Sequence, residues 1–439
     1  VMNLIISILF AFIIGIFDGH FSVFVAGIVI TLACRLHLLS FGGNDLARGK
    51  RLMAIIIPVY FIAALIFSYS FDASHHFIVS DPSRYIQSYC FSNVNYYNFD
   101  QLRNCYLELS DNNALYNSSV LAVCTFANNY LGGSSVLFMT LIQTLFGLMS
   151  IMMLYRILVR QFGFEQAFKY SLLFAFGSHF LFYSSVIIRD ITIVYFYLVS
   201  TAIIISKFEI RNLIVLIICI LITWGIRLYS GLFLFVFLGY YMYIISTTDR
   251  SRKISLVVFI PALLVLVGVV MSFSIFDQTV QEINDYSELS FENSGDGMVS
   301  KLMKLPPGIS QIALLLFAMV KPFPPFSVIS IADSFSSFVM SSVFTFNSVF
   351  WFCIFYVTII GMLFKGFWGK MNFSEKLLLL VVLVFLMANT AHADVRRMMP
   401  VFPILYICFI KMKEESGSNW MKQLTIALLV FYLLIGFVM

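Results

Sequence analysis

Long apolar runs separated by short polar turns make up most of the chain, and this pattern predicts a bundle of membrane helices. A helix needs about 20 apolar residues to cross a bilayer core, so the shorter runs require flanking residues to complete a span. We predict an all-α polytopic membrane protein, one integral membrane domain over residues 1–439 with about 12–13 transmembrane helices. The apolar runs are 2–17, 21–34, 52–68, 136–155, 170–188, 191–205, 213–226, 228–245, 254–273, 343–364, 377–390, 398–410 and 424–438.

Composition supports this class. Hydrophobic residues make up 61% of the 439 residues and charged residues 11%, whereas a soluble globular protein is about 25% charged. The net charge of +5 comes from basic residues dispersed among short loops, without a continuous patch. We therefore expect no nucleic-acid partner.

The basic residues also predict the orientation of the chain. About two thirds of the 27 lysines and arginines lie in one set of alternate loops, which the positive-inside rule places in the cytoplasm. Two segments on the opposite side are longer than simple connections. Residues 71–135 are polar and aromatic, whereas 274–342 begins acidic and then contains the apolar run 309–320. That run is too short to span, so we predict a re-entrant or interfacial helix.

Four arginines stand apart because they interrupt apolar sequence on the side where basic residues are scarce. They are Arg189, Arg227, Arg396 and Arg397, and they fall on three hairpins. Arginines near helix ends often extend to the lipid headgroups without any further function. Four on one side, against the positive-inside bias, favour an anion-binding site instead. Guanidinium groups match phosphate oxygens, so the predicted anion is a lipid-linked phosphate or pyrophosphate.

Three residues are candidate catalytic groups, and each has a structural alternative. His392 lies in the same hairpin region as Arg396, and imidazole is a common general base, but a packing role is the alternative. Asp190 follows Arg189 and is either catalytic or an ion-pair partner. Asp81 is either a base or part of an ordinary turn with Pro82.

Cysteine and histidine spacing gives no metal-site motif, so we expect no metal or other cofactor. Cys90 and Cys105 share the first long outer segment, where the compartment is oxidising. A disulfide between them is predicted, with Cys124 as the alternative partner.

Four short motifs give the chain a resemblance to a known family. They are FYSSVIIRD at 182–190, WGIRLYSG at 224–231, KPFPPF at 321–326 and VRRMMPVFP at 395–403. Together with the layout of apolar segments, they resemble the Wzy-type O-antigen polymerases. The sequence departs from the paired arginine-to-glycine loop motifs of that family, because neither Arg189 nor Arg227 is followed by glycine at the expected spacing.

The resemblance implies a multi-pass enzyme of the bacterial inner membrane, with a fold related to GT-C glycosyltransferases and an active site facing the periplasm. Such an enzyme transfers a growing glycan from one undecaprenyl pyrophosphate carrier to the non-reducing end of another carrier-linked repeat unit. The implied partners are the two lipid-linked oligosaccharides, membrane lipid and a chain-length regulator protein. The family's pyrophosphate-binding arginines would correspond to Arg189, Arg227, Arg396 and Arg397.

Two other functions fit parts of the sequence. A GT-C transferase that adds one sugar from a polyprenyl monophosphate donor would use an acidic residue such as Asp81 in the first outer segment, commonly with a divalent metal. A flippase or transporter of lipid-linked oligosaccharides is an alternative of another class. The middles of the apolar segments carry almost no charge, which disfavours a coupled transporter.

Overall fold

The computed structural model describes most of the predicted helical segments. The described residues are 2–69, 114–206, 209–248, 301–302, 304–306, 308–320, 329, 335–371, 373–389, 395–415 and 419–438. Within these ranges the chain is helical and contains no strand. The predicted all-α class is therefore confirmed for the described residues.

The helices of these ranges are numbered here in chain order. They are α1 (Met2–Asp18), α2 (Phe21–Leu36), α3 (Gly43–Tyr69), α4 (Ala114–Tyr130), α5 (Val136–Gly177), α6 (Phe180–Tyr183), α7 (Asp190–Ile205), α8 (Ile210–Ile226), α9 (Leu228–Thr248), α10 (Ile309–Ala318), α11 (Phe335–Phe364), α12 (Phe367–Lys370), α13 (Phe373–Ala388), α14 (Val395–Met398), α15 (Phe402–Glu415) and α16 (Asn419–Val438). A 3-10 turn, Met399–Val401, joins α14 to α15.

Three helices of the described ranges are long and apolar enough to cross a membrane. These stretches are Gly43–Ser68, Val136–Gly177 and Ser337–Phe364. Several further apolar helices are 10–17 residues long. The length and composition of these helices support a transmembrane character. The count of about 12–13 spans stays a prediction.

Helix α5 is the longest helix of the described residues. It runs for 42 residues and kinks at Gly163, where φ is 78° and ψ is 170°. That left-handed backbone suits glycine because a Cβ would be strained there. The sequence predicts apolar helices at 136–155 and 170–188. The structure instead continues the helix up to the kink and ends it at Gly177, since the following residues form a non-helical turn and the short helix α6.

The segment that leads to Arg189 is fixed against the first half of α5. Thr144 Oγ1 donates a hydrogen bond to the Ser184 carbonyl at 2.8 Å. Gly147 lies one turn further along α5, and a Cβ there would be 2.6 Å from the Ser184 Cβ. The segment that contains Ser184 can approach α5 this closely because position 147 has no side chain.

Helical structure also occurs within both predicted outer segments. Helix α4 lies within 71–135 and packs against α5 and α8. Helix α10 falls within 309–320 and packs against α13. The Tyr356 hydroxyl of α11 donates a hydrogen bond to the Leu316 carbonyl at 2.9 Å, which ties α10 to a long apolar helix. Residues 70–113 lie outside the described residues.

Helices α8 and α9 form a very tight hairpin. Arg227 is the only residue between them. A Cβ at Gly231 would lie 2.6 Å from the Cα of Trp224, so the first turn of α9 packs directly on the last turn of α8. The Tyr197 hydroxyl of α7 donates a hydrogen bond to the Ser230 carbonyl at 2.7 Å, which joins this hairpin to α7.

Gly231→Ala is expected to destabilise the protein, because the added methyl group meets the backbone of Trp224. Overpacking of this kind costs roughly 1–3 kcal/mol. Gly239→Ala on the same helix is the matched control, since nothing lies within 4 Å of a Cβ at that position. Thermal unfolding of the detergent-solubilised protein should show a lower Tm for Gly231→Ala alone. Equal Tm values for the two variants would contradict the close contact.

Candidate functional site

A buried ion pair lies at the amino-terminal end of α7. Asp190 is the first residue of α7, where a negative charge interacts favourably with the helix dipole. Its Oδ1 lies 2.6 Å from Nη1 of Arg227, and the two side chains are only 2% and 4% exposed. The pair therefore joins α7 to the α8–α9 hairpin through charges removed from solvent.

The backbone on both sides of Arg227 is held by hydrogen bonds. Arg227 has extended dihedral angles, with φ of −156° and ψ of 112°. Its N–H donates to the Thr223 carbonyl at 2.8 Å, and its own carbonyl accepts from the Gly231 N–H at 3.2 Å. The last turn of α8 and the first turn of α9 thus fix the residue whose guanidinium contacts Asp190.

Arg189 is the second arginine of this cluster. It precedes α7 and is 9% exposed. Its Nη1 donates a long hydrogen bond of 3.5 Å to the Ile226 carbonyl. Because Ile226 is the last residue of α8, this contact brings Arg189 beside Arg227.

Arg396 comes from a distant part of the sequence. It lies in α14, a single helical turn, and the 3-10 turn that follows packs against α7. The positive charges of Arg227, Arg396 and Arg189 all act on the Asp190 carboxylate. Three of the four predicted arginines therefore lie within electrostatic range of one carboxylate. We call Arg189, Arg227, Arg396 and Asp190 the arginine cluster.

Arg397 lies in the same helical turn as Arg396 and is 7% exposed. Four predicted residues lie outside the described residues, namely Asp81, Cys90, Cys105 and His392. Their predicted roles as a base or as disulfide partners stay predictions. Cys124, the alternative disulfide partner, is buried in α4.

A polar link beside the cluster was missed by the sequence analysis. Gln143 of α5 is fully buried, and its Nε2 donates to the Tyr116 hydroxyl of α4 at 2.6 Å. The hydroxyl of Thr192, two residues after Asp190, donates to Gln143 Oε1 at 3.4 Å. A glutamine inside the apolar run 136–155 was the available signal, because a buried amide requires hydrogen-bond partners.

An apolar cavity of about 540 Å³ lies next to the arginine cluster. Helices α2, α4, α5, α7 and α8 line it, and nearly all of the lining side chains are hydrocarbon or aromatic, such as Val29, Phe126 and Leu145. Thr192 and Ile226 belong both to the wall of this cavity and to the immediate surroundings of the cluster. The arrangement places a hydrocarbon-lined space beside several guanidinium groups.

The chemical capacity of the arginine cluster follows from burial and charge. Electrostatic interactions are stronger where water is excluded than at an exposed surface. Guanidinium groups stay protonated and present a planar fork of N–H donors that fits phosphate and carboxylate oxygens. The cluster therefore suits binding of an oxyanion. Among the described residues no group of three or more His, Cys, Asp or Glu side chains is arranged to hold a metal ion.

Comparison with known proteins identifies no relative of this chain: no protein-family model, curated protein or solved structure matches it.

Asp190→Asn is expected to lower the free energy of unfolding by about 3–5 kcal/mol, because it removes one partner of a buried charge pair. The double variant Asp190→Asn/Arg227→Gln removes both charges and should recover part of that loss. Thermal unfolding in detergent, together with the amount of protein in the membrane, measures the effect.

The control for this prediction is an exposed ion pair that also joins a carboxylate to an arginine. Glu209 and Arg211 form a pair whose side chains are 45% and 79% exposed. Glu209→Gln should change the stability by less than about 1 kcal/mol. If Asp190→Asn and Glu209→Gln have equal effects, the Asp190–Arg227 pair does not hold the site together.

Proposed function

We propose that the protein is an O-antigen polymerase of the bacterial inner membrane. It would join undecaprenyl-pyrophosphate-linked oligosaccharide repeat units into a polysaccharide on the periplasmic face. The observation that carries the proposal is the arginine cluster, in which Arg189, Arg227 and Arg396 from separate parts of the chain act on the buried Asp190. The sequence resemblance to Wzy-type polymerases supports the same function.

Binding and departure of a pyrophosphate are the chemical tasks assigned to the cluster. In the proposed reaction, an acceptor hydroxyl attacks the anomeric carbon of the donor glycan. A new glycosidic C–O bond forms, the bond to the pyrophosphate oxygen breaks, and the hydroxyl proton passes to a base. Arginines aimed at the departing pyrophosphate would stabilise its developing charge, as preorganised donors do in other enzymes. Asp190 would position Arg227 through their ion pair.

The helix lengths support a site recessed below the membrane surface. Helices α7 and α8 contain 16 and 17 residues, which corresponds to roughly 24–26 Å at about 1.5 Å per residue. A bilayer core is about 30 Å thick. If Ile205 of α7 and Ile210 of α8 lie at the cytoplasmic surface, the opposite ends of the two helices, with Asp190 and Arg227, lie several ångströms inside the periplasmic surface. This orientation belongs to the proposed GT-C-like arrangement of about 12–13 spans.

The apolar cavity supports a lipid-linked substrate. A hydrocarbon-lined space of about 540 Å³ offers a place for the first isoprene units of a polyprenyl chain whose pyrophosphate is held by the arginines. Thr192 and Ile226, at the boundary between cavity and cluster, would contact the junction between the polyprenyl chain and the pyrophosphate. A water-soluble sugar nucleotide has no hydrocarbon chain that could fill this cavity.

The remaining parts of the proposal depend on residues outside the described ranges. His392 is the proposed general base, and Asp81 is the alternative in the first outer segment. The reaction is proposed to need no metal, because the arginines take the electrostatic role that a cation serves in other transferases. A chain-length regulator protein is the proposed protein partner.

Arg396→Ala is expected to abolish polymerisation without removing the lipid-linked repeat unit. Loss of one preorganised donor costs about 10²–10³ in rate. The measurement is lipopolysaccharide gel profiling of a deletion strain in the native host, complemented with parent or variant, with membrane levels checked. The deletion and Arg396→Ala strains should show lipid A core carrying a single repeat. Arg189→Ala, Arg227→Ala and Arg397→Ala extend the series.

Arg35→Ala is the control, because Arg35 is exposed at the last turn of α2 and lines neither cavity; it should restore the full ladder. Loss of every O-antigen band in the deletion strain, including the single repeat, would assign the protein to an earlier transferase or flippase step. A full ladder in the deletion strain would contradict any role in O-antigen assembly.

A further inference from the structure

A second cavity lies at the end of α7 opposite Asp190. It has a volume of about 630 Å³ and is formed by the middle of α5, the last turns of α7 and the start of α8. The fifteen residue steps from Asp190 to Ile205 correspond to roughly 22 Å along the helix axis. The cavity is therefore separate from the arginine cluster. We call it the basic cavity, because Arg156 and Arg160 line it.

Two arginines of α5 face this cavity from adjacent helical turns. Arg156 is half-buried, Arg160 is exposed, and both line the cavity. The positive charge of Arg160 acts unfavourably on Arg156, as expected for like charges at positions i and i+4. Two such cations at the wall of one cavity favour an anionic ligand.

The carboxylates of the described residues do not neutralise this pair. Glu209 and Arg211 also line the cavity, and they form an ion pair with each other. Glu165, the nearest carboxylate along α5, pairs with Arg48 at 2.7 Å. The ion pairs within the described ranges include neither Arg156 nor Arg160.

The remaining walls of the cavity indicate the kind of anion. Ile157 of α5 and Val199, Ala202 and Ile203 of α7 give it an apolar side. Gln161 and Asn212 add amide groups at the polar side. A free inorganic anion uses only the basic and amide groups, whereas a phospholipid also places an acyl chain against the apolar wall.

We propose that this basic cavity binds the headgroup phosphate of an anionic phospholipid. Arg156 and Arg160 contact the phosphate, and the first part of an acyl chain lies against Ile157 and Ile203. Basic pockets between membrane helices bind anionic headgroups in this way. In the orientation that the basic loops predict, the cavity faces the cytoplasmic leaflet. The inference does not depend on the polymerase proposal.

The test titrates the purified full-length protein in neutral detergent with short-chain phosphatidylglycerol and phosphatidylcholine. Native mass spectrometry measures the bound lipid. The parent should bind phosphatidylglycerol more tightly than phosphatidylcholine. Arg156→Ala/Arg160→Ala should weaken its binding by about 30-fold, since each arginine near an anionic headgroup contributes about fivefold. Arg35→Ala is the control, because Arg35 is an exposed arginine at the last turn of α2.

The double variant is expected to remain folded, because removing two neighbouring like charges relieves their repulsion. Arg156→Lys/Arg160→Lys should retain most of the binding. Equal binding of both lipids, or an equal loss in Arg35→Ala, would overturn the proposal. If inorganic phosphate binds as tightly as phosphatidylglycerol, the cavity is a site for a free anion, and the proposal that it binds a phospholipid is wrong.

Discussion

The buried ion pair between Asp190 and Arg227 is the interaction on which the rest of the site depends. Burying either charge without the other in an apolar bundle would be strongly unfavourable. The pair therefore fixes α7 against the α8–α9 hairpin. Gly231 allows the hairpin to close, and the Tyr197–Ser230 hydrogen bond holds it to α7. With these elements fixed, Arg189 and Arg396 are brought to the same carboxylate. The site therefore combines groups that are far apart in the sequence, namely Asp190, Arg227 and Arg396.

Helix α7 connects the two proposed anion sites, which differ in character. At one end the arginine cluster adjoins the apolar cavity lined by Thr192 and Ile226, an arrangement that suits a pyrophosphate attached to a polyprenyl chain. At the other end Arg156 and Arg160 line the basic cavity, which suits the headgroup of a membrane phospholipid. In both proposals a guanidinium group recognises a phosphate while hydrocarbon walls receive the attached chain. The two sites would face opposite leaflets of the proposed inner membrane.

Part of this arrangement could be predicted because charge is costly in apolar sequence. Arginines that interrupt apolar sequence, such as Arg227 and Arg396, were expected in protein-lined positions, and in the structure the charges of both act on Asp190. Other features depend on tertiary packing that no local pattern reveals. The continuation of α5 as far as Gly163, the helix α4 within the first predicted outer segment and the Gln143–Thr192 link are of this kind. The partner of Asp190 was also open, because its sequence neighbour is Arg189 and its closest cation is Arg227.

The most direct test of the central claim is a measurement of lipid binding by the purified protein. Undecaprenyl pyrophosphate and undecaprenyl monophosphate would be titrated against the parent, Arg396→Ala and the exposed control Arg35→Ala. The parent and Arg35→Ala are expected to bind the pyrophosphate more tightly than the monophosphate, and Arg396→Ala is expected to lose at least tenfold in pyrophosphate affinity, about 1.4 kcal/mol. Unchanged pyrophosphate affinity in a folded Arg396→Ala protein would contradict the account.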